Sequence, residues 1–148
     1  MAAELRRSLP DDEDAIIGVW LASTIPGQSF LPEDYWRAME PEIRELLPQA
    51  ETWVAEEHAQ IVAFMSLLGN LIGGLFTHPD HQGRGHGRAL VEHVRARFDP
   101  VLVEVFEANE PALRFYRSCG FVAHETRVDP DSGLTQLILR LENAPGVG

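Results

Sequence analysis

The sequence predicts a single α/β domain with a mixed, largely antiparallel sheet of about seven strands, flanked by helices. Two observations lead to this prediction. The chain has 148 residues, 45% of them apolar, which suffices for one sizeable core and excludes two large domains. The apolar residues follow helical spacing near the amino terminus, change to strand-like runs after residue 50, and later alternate between strands and helices.

Helices dominate the prediction for the first third of the chain. The elements expected there are an edge strand at 4–8, a helix at 11–23, a loop at 24–29 and a helical stretch at 32–47. Pro10 and the acids after it suit a helix start, where free amides and the helix dipole favour proline and negative charge. Pro26 and Gly27 indicate the loop. Pro41 interrupts the later helical stretch and Pro48 ends it.

A sheet is predicted for the middle of the chain. The elements expected there are strands at 52–56, 61–68 and 71–77, a loop at 78–87, a helix at 88–98 and a strand at 101–106. The polar stretch between the first two strands is typical of a hairpin. Gly73 and Gly74 indicate a bulge or a close backbone approach in the third strand. The nearly all-apolar last strand is typical of a buried strand with a parallel neighbour, which makes the sheet mixed.

The last part of the chain is predicted to add one helix and two strands. Asn109 suits a helix cap, with Pro111 in the first turn and Gly120 just after the helix end. The two strands and the turn between them are expected at 121–128, at 134–141 and at the sequence DPDSG. The single domain is predicted to span residues 1–142, followed by a flexible tail at 143–148.

The charge of the chain disfavours several classes of partner. Asp and Glu number 23 against 12 basic residues, all of them arginine, for a net charge of −11. Such a balance disfavours nucleic acid and anionic membranes, which bind broad basic surfaces. Residues 1–60 hold 13 acids and 4 arginines, a sum of −9, which favours a cationic partner. The alternative is that these acids serve only solubility.

Other features favour the cytoplasm and disfavour metal or disulfide chemistry. The amino terminus lacks the apolar core of a secretory signal, and no apolar run approaches the ~20 residues of a membrane span. Cys119 is the only cysteine, so an intramolecular disulfide is excluded. The histidines show no metal-ligand spacing, so no metal site is expected.

The most informative segment is a glycine-rich loop between a predicted strand and a predicted helix, with the sequence QGRGHGR at 82–88. Glycines let backbone amides converge on an anion, and the following helix adds the positive end of its dipole, so the loop is a candidate phosphate cradle. The Gly-Lys-Ser/Thr end of a nucleotide triphosphatase loop is absent, and a dinucleotide fingerprint fails at Arg88 or Leu90. A glycine-rich surface turn is the remaining alternative.

Two segments resemble the GNAT N-acetyltransferase superfamily. Residues 75–90 contain Gln82-x-x-Gly85-x-Gly87, which is similar to that family's acetyl-CoA-binding signature, Gln/Arg-x-x-Gly-x-Gly/Ala. Residues 109–121 resemble the family's downstream Asn…Ala…Phe-Tyr…Gly-Phe element. Both segments occur in the family's order, and the predicted elements match its whole domain. The resemblance therefore covers nearly the full chain.

The resemblance implies that the chain transfers an acetyl group from acetyl-CoA to a primary amine by direct attack, without a covalent enzyme intermediate. The implied fold is the GNAT fold, whose sheet splays at the CoA site and opens a V-shaped slot for the pantetheine arm. The stretch 30–48 and the compact length are most similar to the small bacterial YjaB-like branch. The implied acetyl-CoA-binding residues are Phe76, Thr77, Gln82, Gly83, Arg84, Gly85, His86, Gly87, Arg88 and Asn109.

Tyr116 matches the family's tyrosine that protonates the departing CoA thiolate, a role for which a phenol of pKa ~10 is suited. In the alternative interpretation, Tyr116 is only a core aromatic and Asn109 only a helix cap. The chain departs from the family at the general base, because Gly73 and Gly74 stand where many members carry a carboxylate. Glu104 and His78 are candidate substitutes. Alternatively, water with backbone carbonyls removes the proton, or the acceptor amine already has a low pKa, and no base is assigned.

The expected acceptor is a cationic small molecule or a peptide amine. The resemblance places the acceptor pocket in the first helical half, where the acids are concentrated. Trp20, Phe30, Tyr35 and Trp36 lie there and either shape the pocket or belong to the core. A non-catalytic CoA-binding module and a domain for another nucleotide are the alternative functions. Dimers are common in the family, so a homodimer is an open expectation.

Overall fold

A seven-stranded mixed sheet runs through the protein, and helices pack on both of its faces. The computed structural model describes residues 4–142. The strands are β1 (Glu4–Arg7), β2 (Glu51–Glu57), β3 (Gln60–Leu68), β4 (Leu71–Thr77), β5 (Val101–Phe106), β6 (Val122–Val128) and β7 (Thr135–Leu141). The helices are α1 (Glu13–Gly27), α2 (Glu33–Ala38), α3 (Glu40–Leu46), α4 (His86–Arg95) and α5 (Glu110–Ser118). Short 3₁₀ turns are found at Pro10–Asp12, Leu47–Gln49 and Pro79–His81. The predicted fold class is confirmed.

The sheet splays between its two central strands. The strand order is β1-β2-β3-β4-β5-β7-β6, and β4 and β5 are the parallel pair. They are joined only where Leu71 faces Leu102 and Ile72 faces Val103. Since β5 pairs along its full length with β7, β4 diverges from Gly73 onwards. The V-shaped opening expected from the resemblance is therefore present, and one edge of β4 has no strand partner.

Each face of the sheet buries its own apolar cluster. Helices α4 and α5 cover one face, and α1 to α3 cover the other, where Trp20 and Trp36 are almost fully buried. Val103 and Val105 of β5 belong to the cluster under α4 and α5, whereas Phe106 belongs to the cluster under α1 to α3. This division is expected because successive side chains of a strand point to opposite faces of the sheet. The opening between β4 and β5 thus lies between two packed layers.

Helix α1 is longer than predicted. The expected loop at 24–29 is wrong for its first four residues, because the helix continues through Pro26. A proline near the carboxyl end of a helix removes one hydrogen bond while its fixed φ remains helical. The amide of Gln28 still donates to the carbonyl of Thr24 at 2.8 Å, and the indole Nε1 of buried Trp36 donates to the carbonyl of Gln28 at 3.0 Å. Tertiary packing therefore secures a helix end that local propensity disfavours.

Helix α4 begins and ends earlier than the predicted 88–98. It begins at His86 because Gly85 caps it with a left-handed φ of 86°, which glycine adopts at little cost. It ends at Arg95, where the chain turns towards β5. The other predicted helix starts and strand boundaries lie within two residues of those observed, and Pro41 stands in the first turn of α3 as the predicted break requires.

The predicted flexible tail at 143–148 lies outside the described residues, so the domain boundary at residue 142 stays a prediction. Within residues 4–142, the structure contains no helix that is both long enough and apolar enough to cross a membrane.

An ion pair ties the chain just after α4 to the sheet. Both carboxylate oxygens of Glu51 accept hydrogen bonds from the guanidinium of Arg97, and the indole of Trp53 donates to the same carboxylate at 2.7 Å. The Arg97 hydrogen bonds outweigh desolvation and lower the pKa of Glu51 from 4.5 to about 2. The charged carboxylate therefore stabilises the folded state.

We predict that Glu51→Gln lowers the free energy of unfolding by about 1 kcal/mol at neutral pH, a modest effect because solvent screens the partly exposed Arg97. Since the folded-state pKa is depressed, this contribution is present above pH 4.5 and is lost as the pH falls towards 2. Urea unfolding of both proteins across this range measures it. Glu33→Gln, which breaks an exposed pair with Arg37, is the control. Equal losses for the two variants at neutral pH would contradict the prediction.

Candidate active site

Two cavities meet where β4 and β5 separate. The cradle cavity, of about 600 Å³, is bounded by the end of β4, the glycine-rich loop and α5. The aromatic cavity, of about 500 Å³, is bounded by α1 to α3, β3 to β5 and the hairpin of β6 and β7. The residues that line both, here called the shared wall, are Gln28, Leu75, Phe76, Asn109, Ala112 and Tyr116. Ligands in the two cavities would come together at the shared wall.

The glycine-rich loop presents free amide donors at the start of α4. Gly83 and Gly85 have φ of 79° and 86°, and a Cβ added at either would meet nothing within 4 Å, so the loop surface is open. Among the described residues, no acceptor is found for the amides of residues 83–88. Free amides at the positive end of a helix dipole bind anions such as phosphate. The loop therefore fits the pyrophosphate of CoA.

Gly87 allows α4 to approach α5 closely. A Cβ built at Gly87 would lie 3.0 Å from Cζ of Phe115, which is tighter than ordinary van der Waals contact. A larger side chain at this position would push against Phe115 of α5, and Tyr116 is the residue that follows Phe115. The same glycine thus serves the packing of two helices that border the cradle cavity.

Nine of the ten residues expected to bind acetyl-CoA line the cradle cavity. The exception is Arg84, whose Nη1 lies 2.7 Å from Oε1 of Glu57. Arg88 lines the cavity and donates to Oγ of Ser118 at 3.1 Å. Arg88 can therefore add positive charge to the rim of the cradle cavity, whereas the charge of Arg84 is compensated by a carboxylate.

Glu57 holds the loop to the end of β2, a role that the sequence analysis missed. One carboxylate oxygen bonds Arg84 and the other bonds Nε2 of buried His86, while Nδ1 of His81 lies 3.4 Å away. Desolvation raises the pKa of Glu57, but the His86 hydrogen bond and the Arg84 charge outweigh it, so the pKa lies below 4.5. No sequence motif links Glu57 to a loop that begins 25 residues later, because the contact depends on the path of the sheet.

We predict that Glu57→Gln raises the Kd for acetyl-CoA by about tenfold and leaves kcat at saturation unchanged, because an untethered loop must be ordered on binding. Calorimetric titration at physiological salt measures the Kd. The salt screens the Arg84 charge that the substitution leaves unpaired, which limits the contribution of this charge to acetyl-CoA binding. Glu56→Gln, at the neighbouring position of β2, is the control, and it breaks a pair with Arg6 of β1. Tighter binding by Glu57→Gln would show that its charge repels the phosphates more than it orders the loop.

The end of β4 offers a free backbone edge to the cradle cavity. Phe76 and Thr77 pair with β3 on one side only, because β5 has diverged on the other. The side chain of Gln82 donates to the carbonyl of Thr77 at 3.1 Å and ties the loop to the strand. An extended ligand with amide groups, such as a pantetheine arm, can hydrogen-bond such an edge in the way that an added strand does.

Asn109 both caps α5 and reaches the shared wall. Its Oδ1 accepts from the amide of Ala112 at 3.3 Å, as the cap interpretation requires. Its Nδ2 has no partner among the described residues, and the side chain lines both cavities. The capping and binding interpretations are therefore compatible.

Tyr116 is held rigidly at the shared wall. It is 6% exposed, and its ring lies 5.2 Å from Phe115 and 5.3 Å from Phe121, centroid to centroid. Gly120, with φ of 105°, turns the chain so that the amide of Phe121 donates to the Tyr116 carbonyl at 3.0 Å. The Tyr116 hydroxyl has no hydrogen-bond partner among the described residues. Burial, with a smaller contribution from Cys119, raises the pKa of this phenol above 10, so it is protonated at neutral pH and can donate a proton.

Cys119 is poorly suited to be a nucleophile. It is buried, and burial raises the pKa of its thiol above 9. Because the thiolate is the reactive form, this arrangement favours direct attack on the thioester over a covalent cysteine intermediate. Within residues 4–142, no group of three or more His, Cys, Asp and Glu side chains is placed to hold a metal ion.

Aromatic side chains form much of the second cavity. Three of the four predicted aromatics, Trp20, Tyr35 and Trp36, line it. Phe30 packs against Trp36 at 6.5 Å without lining the cavity. Since Trp20 and Trp36 also belong to the buried cluster, the pocket and core interpretations of these two residues hold together.

The acids that line the aromatic cavity are not those expected from the sequence. None of the 13 acids within residues 1–60, all in the described part of the chain, lines it. Glu13, Asp14 and Glu40, for example, are paired with Arg44. The lining acids come from β5 and the hairpin of β6 and β7, and they are Glu104, Asp129 and Asp131. The predicted location was wrong because the net charge of a segment does not determine where its side chains point.

The two candidate bases both have partners. One oxygen of Glu104 accepts from Nε2 of Gln136 at 2.9 Å, and the other pairs with Arg127. His78 lines neither cavity, and its Nδ1 accepts from the amide of Asp80 at 3.1 Å. Both oxygens of Glu104 are thus engaged by protein partners and His78 lies outside both cavities, so neither residue presents a free base to an amine in the aromatic cavity.

The predicted bulge in β4 is confirmed. The register between β3 and β4 shifts after Ser66, so Gly73 has no strand partner. A Cβ built at Gly74 would lie 2.8 Å from the Phe76 ring, so this ring occupies the space that a side chain at position 74 would need. A carboxylate at position 74 would therefore have to displace Phe76 from the shared wall.

Comparisons with known proteins agree with this geometry. Residues 48–123 match the family described as acetyltransferase (GNAT) domain. The chain is 36% identical over 143 residues to the peptidyl-lysine N-acetyltransferase YjaB of Escherichia coli K12, an alignment that covers 95% of this chain and 97% of YjaB. It is 34% identical over 119 residues to the peptidyl-lysine N-acetyltransferase YiaC of the same organism, covering 79% of this chain and 82% of YiaC.

Solved structures show the same fold. The solution structure of apo YjaB from Escherichia coli superposes with a TM-score of 0.87 and 34% identity, covering 97% of this chain and 100% of that one. The crystal structure of PaiA N-acetyltransferase from Thermoplasma acidophilum in complex with coenzyme A gives a TM-score of 0.80 at 17% identity, covering 97% and 100%.

Proposed function

Since this chain belongs to the GNAT family of acetyltransferases, we propose that its acceptor is the side-chain amine of a lysine in a peptide or protein. The activity itself is that of the family: acetyl-CoA is the co-substrate, and its acetyl group is transferred to a primary amine. What the geometry adds is an assignment of roles to the residues of the two cavities.

The position of Tyr116 carries this assignment. It lines both cavities, is almost fully buried, and its hydroxyl makes no hydrogen bond to any residue from 4 to 142. We place the CoA pyrophosphate on the free amides of residues 83–88, the pantetheine arm along the free edge of β4, and the thioester at the shared wall. An amine from the aromatic cavity then forms the new C–N bond while the C–S bond breaks. The Tyr116 phenol donates its proton to the departing thiolate, the nitrogen loses its extra proton to solvent as the amide forms, and the phenolate regains a proton from solvent.

Three features support lysine as the acceptor. Two similar proteins are named peptidyl-lysine N-acetyltransferases. Aromatic walls suit the methylene stem of lysine and attract its ammonium. Carboxylates also line the cavity, and the charges of Asp129 and Asp131 add to burial in raising the pKa of Tyr35, as a negative potential requires. A cationic chain end would therefore enter this cavity more readily than an anionic one.

The attacking amine must first lose a proton, because a lysine ammonium has a pKa of ~10.4. Glu104 is engaged by Arg127 and Gln136, and β4 carries glycine at the bulge. We propose that water in the aromatic cavity accepts this proton. The residues of the chain then position the amine beside the thioester and provide the electrostatic potential of the site. Positioning and electrostatic stabilisation account for a large part of the acceleration in such transfers.

The acceptor class is tested with peptides that carry one lysine and a blocked amino terminus. We expect kcat/KM to be about tenfold higher when the lysine is flanked by arginines than when it is flanked by glutamates, and this preference to shrink at high salt. Release of CoA is the measurement, and the same peptides with acetylated lysine are the control. A preference for glutamate-flanked peptides, or for small anionic amines, would overturn the proposed acceptor.

Association of the chain into a homodimer and the lack of nucleic-acid and membrane binding stay predictions. Analytical ultracentrifugation tests the first. Titration with duplex DNA and with anionic vesicles tests the others.

A further inference from the structure

Gln28 places an unused amide at the shared wall. It follows directly after α1, and its side chain lines both the cradle cavity and the aromatic cavity. The residue is 9% exposed, yet its side-chain amide has no hydrogen-bond partner among the described residues. Its amide nitrogen and oxygen are not fully buried themselves, so a ligand or water in the two cavities can reach them and complete their hydrogen bonds. Its orientation therefore favours a binding role.

The backbone of Gln28 is held on both sides. Its amide donates to the carbonyl of Thr24 at 2.8 Å, and its carbonyl accepts from the indole of Trp36 at 3.0 Å. Thr24 and Trp36 are themselves buried. The side chain of Gln28 is thus presented from a fixed point, as a group that positions a substrate must be.

The other members of the shared wall leave one role unfilled. Leu75, Phe76 and Ala112 are apolar. Asn109 uses its Oδ1 to cap α5, so its free group is a donor. Tyr116 is the proposed proton donor. Within the described part of the chain, Oε1 of Gln28 is therefore the side-chain amide oxygen of the shared wall that is free to accept a hydrogen bond.

A free acceptor at this point is what an attacking amine requires. The amine aims its lone pair at the thioester carbonyl carbon, which leaves its N–H groups pointing back towards the protein. The carbonyl oxygen of the thioester is itself a hydrogen-bond acceptor, so it cannot form a hydrogen bond with Oε1. Gln28 also sits on the α1 and α2 side of the wall, the side from which Trp20 and Trp36 line only the aromatic cavity.

We infer that the side-chain oxygen of Gln28 hydrogen-bonds the acceptor amine and orients it for attack on acetyl-CoA. This inference rests on the proposed function, since it names the residue that binds the amine in the same site. It assigns recognition of the amine N–H to a neutral amide in a chain whose β4 carries glycine at the bulge. Gln28 thereby becomes a determinant of acceptor binding, separate from the groups that bind CoA.

The test compares Gln28→Met, which keeps the length of the side chain and removes the acceptor, with Gln28→Glu, which keeps an acceptor oxygen. The substrates are acetyl-CoA and a blocked peptide with one lysine. Gln28→Met is expected to lower kcat/KM for the peptide by about 10- to 100-fold while the Kd for acetyl-CoA changes by less than about twofold. Gln28→Glu is expected to keep the peptide KM within about threefold of the wild type. Gln60→Met, in the exposed β2–β3 hairpin, is the control.

An unchanged kcat/KM in Gln28→Met would overturn the inference. So would a loss fully explained by weaker acetyl-CoA binding, since that would place Gln28 on the CoA side. If Gln28→Met unfolds, the test rests on Gln28→Glu. A folded Gln28→Glu variant with a much higher peptide KM contradicts the inference that the side-chain oxygen accepts a hydrogen bond from the amine. A wild-type protein that binds acetyl-CoA and acetylates no lysine peptide refutes the proposed acceptor first, and the inference fails with it.

Discussion

Tyr116→Phe is expected to lower kcat by about 10²- to 10³-fold while the Kd for acetyl-CoA stays within about twofold, because general acid catalysis contributes on this scale. The substitution removes one hydroxyl that has no protein partner and keeps the ring between Phe115 and Phe121. Packing and the CoA site should therefore survive. Single-turnover transfer from acetyl-CoA measures the loss, and calorimetry measures the Kd.

The other tyrosine of the chain provides the matched control. Tyr35 lines the aromatic cavity without belonging to the shared wall. Tyr35→Phe should change the acceptor KM modestly and leave kcat within about threefold. If the two variants behaved alike, Tyr116 would be a core aromatic and not the acid. If the wild type itself turned over no amine, the chain would be a CoA-binding module without catalysis.

The pH dependence gives a second check on Tyr116. Burial raises its pKa above 10, so the proton-bearing form persists to higher pH than in an exposed tyrosine. Any loss of kcat that the wild type shows below about pH 10 should therefore also be seen in Tyr116→Phe. A loss of kcat near neutral pH that disappears in the variant would contradict the protonated phenol described here.

Gly85→Val is expected to weaken acetyl-CoA binding by at least about 100-fold. Gly85 caps α4 with φ of 86°, which a β-branched residue adopts only at a cost of order 1–3 kcal/mol. The new side chain would also occupy open space at a residue that lines the cradle cavity. Both effects act on the anion site, so they should appear in the Kd measured by calorimetry. A catalytic defect with normal binding would contradict the role assigned to the cradle.

Gly69→Val separates loop strain from loss of the cradle. Gly69 lies in the turn between β3 and β4, has φ of 62°, and has open space around an added Cβ, like Gly85. It carries a similar backbone penalty at a place that does not border the cradle cavity. Gly69→Val should lose stability in thermal unfolding yet bind acetyl-CoA with nearly the wild-type Kd. Equal binding losses in the two variants would mean that general destabilisation, not the cradle, explains the result.

Most of the fold could be predicted because its signals are local. Strand alternation, the cap at Asn109 and the glycine at position 120 each depend on residues within one turn or one hairpin. One error occurred where distant packing overrode local propensity, since Pro26 remains inside α1 and Trp36 holds the end of that helix. The other concerned a local conformation that glycine permits without requiring, since α4 begins at His86 because Gly85 adopts a left-handed φ.

The sequence by itself determined the cradle, the cap and the tyrosine, since each belongs to a short motif whose chemistry follows from residue type and spacing. Only the tertiary structure decided which side chains surround them. Glu57 meets His86 across 29 residues, Gln28 reaches the shared wall from the end of α1, and the lining acids come from β5 and the β6–β7 hairpin instead of the acidic first half. These contacts depend on strand order and on the splay between β4 and β5. Long-range pairing of this kind leaves no periodic trace in the chain, and so the site's supporting residues became visible only in the folded protein.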